Sequence, residues 1–161
     1  MRHSSGRAQA LVEFAFVLPV ILMLLLGMID LGRAFVFGVV VQDGAHAAAR
    51  VSAKSNYDAS VDDAVVLGRL VGTSNPALTA CSNPTAWGLQ PCGWTFTLSV
   101  DNGATSYSSI SAARAAGALA GAQVTITARG SVALFPGMQL GAWGLKMPQI
   151  SVQGQSAMVI L

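Results

Sequence analysis

Charge is scarce in this chain. Aspartate, glutamate, lysine and arginine make up 10% of its 161 residues, against about 25% in ordinary soluble domains. After Arg69 the only charges are Asp101, Arg114, Arg129 and Lys146. A solvated monomer ordinarily carries more charge for colloidal stability. An Ala/Gly/Ser/Thr-rich body with so little fits a subunit that packs against other subunits, or a GC-rich genome. No cluster of lysine or arginine occurs and the net charge is +2, which argues against a nucleic-acid surface. With two cysteines and two histidines, a metal site lacks ligands. There is no P-loop, dinucleotide fingerprint, G-x-S-x-G or H-E-x-x-H, motifs that would place a phosphate, a cofactor, a nucleophile or zinc. His46 sits in an Ala-rich stretch and reads as an exposed or helix-packing residue. Asp62 and Asp63 are adjacent, so on a helix they diverge by about 100° and read as a solvated face. The expectation is a protein that is not an enzyme and holds neither metal nor cofactor.

What the chain has instead is a long apolar run. Residues 7–29 read RAQALVEFAFVLPVILMLLLGMI, and no charge occurs from Phe14 to Ile29. Glu13 stands at the lip of that run. An isolated carboxylate is expensive to take out of water unless paired, so the position calls for a partner. Phe14–Ile29 is short of the roughly 20 residues that span a bilayer, but the run resumes after Asp30 as LGRAFVFGVVV. Asp30 and Arg33 are three apart, share a helix face and can neutralise each other, with Arg33 snorkelling to the interface. Pro19 could kink the helix. Arg2, His3 and Arg7 flank the short N-terminal side, which favours a cytoplasmic N-terminus and a body outside. A cleaved secretory signal fits less well. The apolar region exceeds the usual length of about 7–15 residues, and the one tidy A-x-A, Ala45-His46-Ala47, lies well beyond it.

The rest reads as a small α+β body. The helix is expected to continue to about Ser52 and break near Ser55-Asn56, with a second helix from about Ala59 to Leu70. Residues 72–93 are a loop by composition. WTFTLSV, 94–100, is a strand and Asp101-Asn102-Gly103 a turn. Residues 111–121 form a short Ala-rich helix or a loose loop. Residues 123–135 and 149–161 are strands around a Pro/Gly loop. Three or four antiparallel strands would pack on the helix. Cys81 and Cys92, outside the cytoplasm in this topology, read as a disulfide, the alternative being two free buried thiols. Trp87, Trp94 and Trp143, with Phe135, read as core or membrane-interface packing, the alternative being a surface patch.

RAQALVEFAFVLPVILMLLLGMIDLGRAF resembles the start of TadE-like pseudopilins, minor pilins of the tight-adherence (Tad, or Flp) type IV pili. The matching pieces are Gln9-Ala10-Leu11-Val12, Glu13-Phe14 and Asp30-Leu31-Gly32-Arg33-Ala34. AHAAAR, 45–50, and the closing SAMVIL are similar too. In that family a basic leader ends in Gly; counting back from Glu13 as the fifth mature residue puts Ala8, the smallest substitute, at that position. The resemblance implies a leader over 1–8, cleavage between Ala8 and Gln9 by a prepilin peptidase, a transmembrane and continuing helix over 9–54, and a periplasmic domain over 55–161. A new α-amine at Gln9 would lie four residues from Glu13, on one helix face, and could neutralise it within one subunit or between neighbours. Implied partners are the peptidase, other pilins (TadF-like and Flp-like) and the Tad inner-membrane platform. The implied role is pilus assembly, adhesion and biofilm formation. The alternatives are an unprocessed single-span scaffold of the same machine and a pilus-tip adhesin module.

Overall fold

A computed structural model of the chain describes residues 5–72, 81, 84, 86–90, 92–133 and 149–161. Its elements are α1 (Ser5–Ser52), α2 (Asp63–Val71), β1 (Gly88–Leu89), β2 (Thr95–Asp101), β3 (Ser106–Tyr107), α3 (Ile110–Ala115), β4 (Gln123–Ala133) and β5 (Gln149–Val159). The chain divides into two compact units, Met1–Arg33 and Ala34–Leu161. The architecture is α+β, a long apolar N-terminal helix followed by a small antiparallel-sheet domain.

In the first unit the helix runs through Pro19. Every large apolar side chain from Leu11 to Ile29 is exposed, on all sides of the helix. A helix apolar all round belongs in a protein core or a membrane, and within this unit no core covers it. It is the one helix among the described residues long and apolar enough to cross a membrane.

In the second unit the strands follow the order β1-β2-β4-β5, with β3 also paired to β2. All pairings are antiparallel, and opposed residues share a face: Phe96, Ala128 and Gly154 in one row, Leu98, Ile126 and Ser156 in the next. Strict alternation sends Phe96, Leu98, Val100, Val124, Ile126 and Val152 into one buried core. That face meets α2 through Val66, Leu67 and Leu70, α3 through Ile110 and Ala113, and α1 through Val41, Ala45, Ala48 and Ala49. The opposite face carries exposed Thr97, Arg129, Gln153 and Gln155.

Residues 34–52 of α1 bury a stripe of small side chains, Ala34, Val41, Ala45, Ala48, Ala49 and Ser52, at helical spacing. Small side chains let helix and sheet backbones approach closely. At Gly154 a Cβ would lie 2.7 Å from the Val41 carbonyl oxygen, so only glycine fits there. A Cβ at Gly130 would likewise collide with the Trp94 ring, which lies buried across it. Gln42 fixes the helix along the strand: its Nε2 donates to the Gln155 carbonyl at 2.7 Å and its Oε1 accepts from Gln155 N–H at 3.0 Å. His46 adds a hydrogen bond between its Nδ1 and Ser156 Oγ, 2.8 Å. The expectation of a helix-packing histidine is thus met by a specific pin. Ala45-His46-Ala47 lies inside this docked helix, with Ala45 fully buried.

The three long strands match the expected ones closely, while the two-residue β1, inside the stretch expected to be loop, and β3 bring the sheet to five strands rather than three or four. The second helix starts later than expected, at Asp63 rather than Ala59. Asp58 Oδ1 accepts from Ser60 N–H and Ser60 Oγ, at 3.0 and 2.6 Å, which holds residues 58–60 in a side-chain-closed turn. Asp62 then caps the helix, accepting from Val65 N–H at 2.8 Å. Of the two alternatives for residues 111–121, the helix occupies the first part, through Ala115, capped by Ser109. The Pro/Gly loop, Phe135 and Trp143 lie outside the described residues.

Candidate functional site

Ala8 and Gln9 lie near the start of α1. One turn later Glu13 is exposed, and its Oε1 accepts a hydrogen bond from Gln9 Nε2 at 3.2 Å. The i, i+4 spacing therefore brings the Gln9 side chain to the carboxylate. Phe14 is exposed beside it. At the other end of the apolar run, Arg33 Nη1 lies 3.9 Å from Asp30 Oδ1, the carboxylate 11% exposed and the guanidinium 48%. The paired charge and the exposed arginine tip leave the helix between them free of net charge, as a nonpolar surrounding demands. The Glu13 and Asp30–Arg33 groups stand on one helix with only apolar and small residues between.

Cys81 and Cys92 are joined in a disulfide, with Cα atoms 5.4 Å apart. Disulfides persist in oxidising compartments. The bridge closes a segment whose Trp87 is tied to the helices. Trp87 Nε1–H donates to Asp63 Oδ1 at 2.8 Å. The same oxygen accepts from Ile110 N–H at 2.8 Å, and Oδ2 accepts from Ser111 N–H and Oγ, at 3.3 and 2.8 Å. Burial pushes the Asp63 carboxyl up; the hydrogen bonds from Trp87, Ile110 and Ser111 outweigh it and hold the group below its ordinary value. The expectation of a solvated Asp62–Asp63 face holds for Asp62, which is exposed and caps α2, and is corrected for Asp63, which accepts from the first amides of α3 and holds the disulfide segment. The signal for Asp62, an acid just before a helical apolar pattern, was present in the sequence. Asp63 gave none, because its partners lie 24 to 48 residues away. Trp94 is buried in the core and Trp87 half-buried against it, so both pack.

Arg114 was also missed. Its Nη2 donates to the carbonyls of Val61 at 2.7 Å, Ser55 at 2.9 Å and Asp58 at 3.4 Å, and its Nη1 to that of Ala59 at 3.4 Å. The guanidinium holds the turn between α1 and α2. Among the described residues no group of three or more His, Cys, Asp or Glu could hold a metal ion.

These features define a class: a small disulfide-bonded α+β domain on one long apolar helix. Residues 8–50, about a quarter of the chain, match the family model of TadE-like protein, so the N-terminal segment of this chain is TadE-like. The matched stretch holds Ala8, Gln9, Glu13, Asp30 and Arg33, and ends within the docked half of α1. No curated protein and no solved structure matches the chain.

Proposed function

We propose that this protein is a minor pilin, or pseudopilin, of a Tad/Flp pilus, without enzymatic activity. The carrying observation is the TadE-like match over residues 8–50, which coincides with a helix exposing all its large apolar side chains from Leu11 to Ile29. In this reading the helix spans the inner membrane with its N-terminus in the cytoplasm, and the α+β domain lies in the periplasm, where a disulfide is stable. A prepilin peptidase removes residues 1–8. The new α-amine of Gln9 then takes over the Glu13 contact that the Gln9 side chain makes in the full-length chain. An ion pair in a nonpolar surrounding needs a matched partner; a neighbour's amine would fix the axial stagger of two subunits. Asp30 and Arg33 form the second charged station. The partners are the peptidase, TadF-like and Flp-like pilins and the Tad inner-membrane platform, and the outcome is adhesion and biofilm formation.

The test is intact mass and N-terminal sequencing of the protein from membranes, with and without the peptidase. A start at Gln9 that depends on the peptidase is expected, and Glu13→Ala should abolish assembly of pili on the cell surface. An intact leader in both strains, with pili unaffected by Glu13→Ala, overturns the reading in favour of an unprocessed scaffold.

A further inference from the structure

Among the described residues β5 is an edge strand, and α1 covers only part of that edge. The Ile160 N–H donates to the Ala122 carbonyl at 2.8 Å and its carbonyl accepts from Gly121 at 3.1 Å, toward the β4 side. Gln155 turns both backbone groups the other way, to Gln42, and Leu161 sends its N–H outward to the Ala53 carbonyl at 3.2 Å. Odd-numbered residues therefore face the open side. Carried back along an unbroken register, the same parity turns the N–H and C=O of Gln149, Ser151 and Gln153 outward, where no described residue meets them. Edges of this kind are normally guarded by lysine, proline or a bulge. Residues 149–161 contain neither a charge nor a proline, and the pairing with β4 has no bulge.

Beside this edge lies a groove of about 350 Å³ lined by Phe35, Gly38, Val39, Gln42, Asp43 and Gln153. Phe35 is 72% exposed and Val39 46%. A row of backbone donors and acceptors that no described residue meets thus adjoins an exposed apolar flank, and the one charge among the groove's lining residues is an acid.

We propose that residues 149–153 of β5, with the Phe35–Val39 flank of α1, receive an extended strand from a different protein subunit. The strand alternates apolar and polar residues and carries a basic side chain opposite Asp43. Its backbone pairs with Gln149, Ser151 and Gln153. Its apolar side chains lie over Phe35 and Val39, and its polar ones extend the Ser/Gln face. The Gln42 amide, already bonded to Gln155, stops the added strand there and sets its register. A second copy is a poorer occupant. Antiparallel self-pairing about Ser151 would set Ile150 against Val152 and Gln149 against Gln153. However, a second copy's residues 149–161 hold no base to set opposite Asp43. Five residues bury less than a standard interface, roughly 1,600 Å², so the contact gains from anchoring both partners in one membrane.

The probe is a synthetic peptide of alternating valine and threonine with one lysine, added to the full-length chain in detergent micelles. Amide hydrogen exchange at Ser151 and Gln153 should slow on the order of tenfold. Ser151→Pro removes an outward N–H without touching the β4 ladder; it should abolish the slowing at Gln153 while leaving the melting temperature unchanged. No slowing at saturating peptide, or equal slowing with a peptide N-methylated at every residue, overturns the proposal. Slowing that follows chain concentration without peptide makes the occupant a second copy and overturns the assignment to a different subunit. Because the readout needs neither peptidase nor pilus, its failure leaves the pilin reading to its own test.

Discussion

Two stretches of one helix meet different surroundings. Residues 11–29 of α1 carry large apolar side chains on every side, all exposed. Residues 34–52 bury a single stripe of alanine, valine and serine and add Gln42 and His46 as polar pins. Both are rich in apolar residues, so hydrophobicity alone does not tell them apart. Side-chain size and angular distribution do. Bulk spread evenly suits a fluid nonpolar surrounding that makes no demand on shape. A narrow stripe of small residues suits one rigid surface at close range.

The contrast is sharpest at Gly154. Gly154→Leu drives a side chain into the Val41 backbone and should destabilise the sheet domain by about 3 kcal/mol, at the upper end of overpacking effects, read as loss of near-UV dichroism on heating in micelles. Next comes Asp63→Ala, which strips partners from Trp87 Nε1, Ile110 N–H and Ser111 at once. It should cost roughly 2–3 kcal/mol through unsatisfied donors, read from denaturant midpoints. The group also makes a pH prediction. Its folded pKa lies below the ordinary 3.8, so its contribution is fully present above the unfolded value and is lost as pH falls through the folded one. Asp63→Asn should therefore flatten the acid limb of the stability profile below about pH 4. Gln42→Ala removes both hydrogen bonds to Gln155 and should cost about 1–2 kcal/mol, with faster exchange at the Gln155 amide. The smallest effect belongs to the other stretch: Leu24→Val should shift the domain's unfolding midpoint by no more than about 0.5 kcal/mol. A larger shift would mean that residues 11–29 take part in the domain's fold and would break the comparison.

Much of this was legible in the sequence, for local reasons. The strands at 95–101, 123–133 and 149–159 follow from two-residue alternation of β-branched side chains. The disulfide followed from an even cysteine pair in a chain with an anchor. The Asp30–Arg33 contact follows from helical spacing, and so does the meeting of Gln9 with Glu13, although the expected group there was an α-amine and the observed one is the side-chain amide. The later start of α2 was missed because Asp58 and Ser60 close a turn that apolar periodicity does not register. Asp63 and Arg114 were missed because each gathers partners from distant segments. Gln42 was missed because a glutamine side chain completing the pairing of a strand more than a hundred residues away leaves no mark on its neighbours.

The stripe on α1 has an entropic consequence. Alanine has no rotamers to lose, so ordering Ala45, Ala48 and Ala49 against the sheet carries almost no side-chain entropy cost. The association needs little from any one residue and depends instead on every residue staying small. Substitution along the stripe is therefore one-sided. Each added carbon must find space that is not there, and even a larger hydrophobic residue, elsewhere a benign change, acts here as a wedge between helix and sheet.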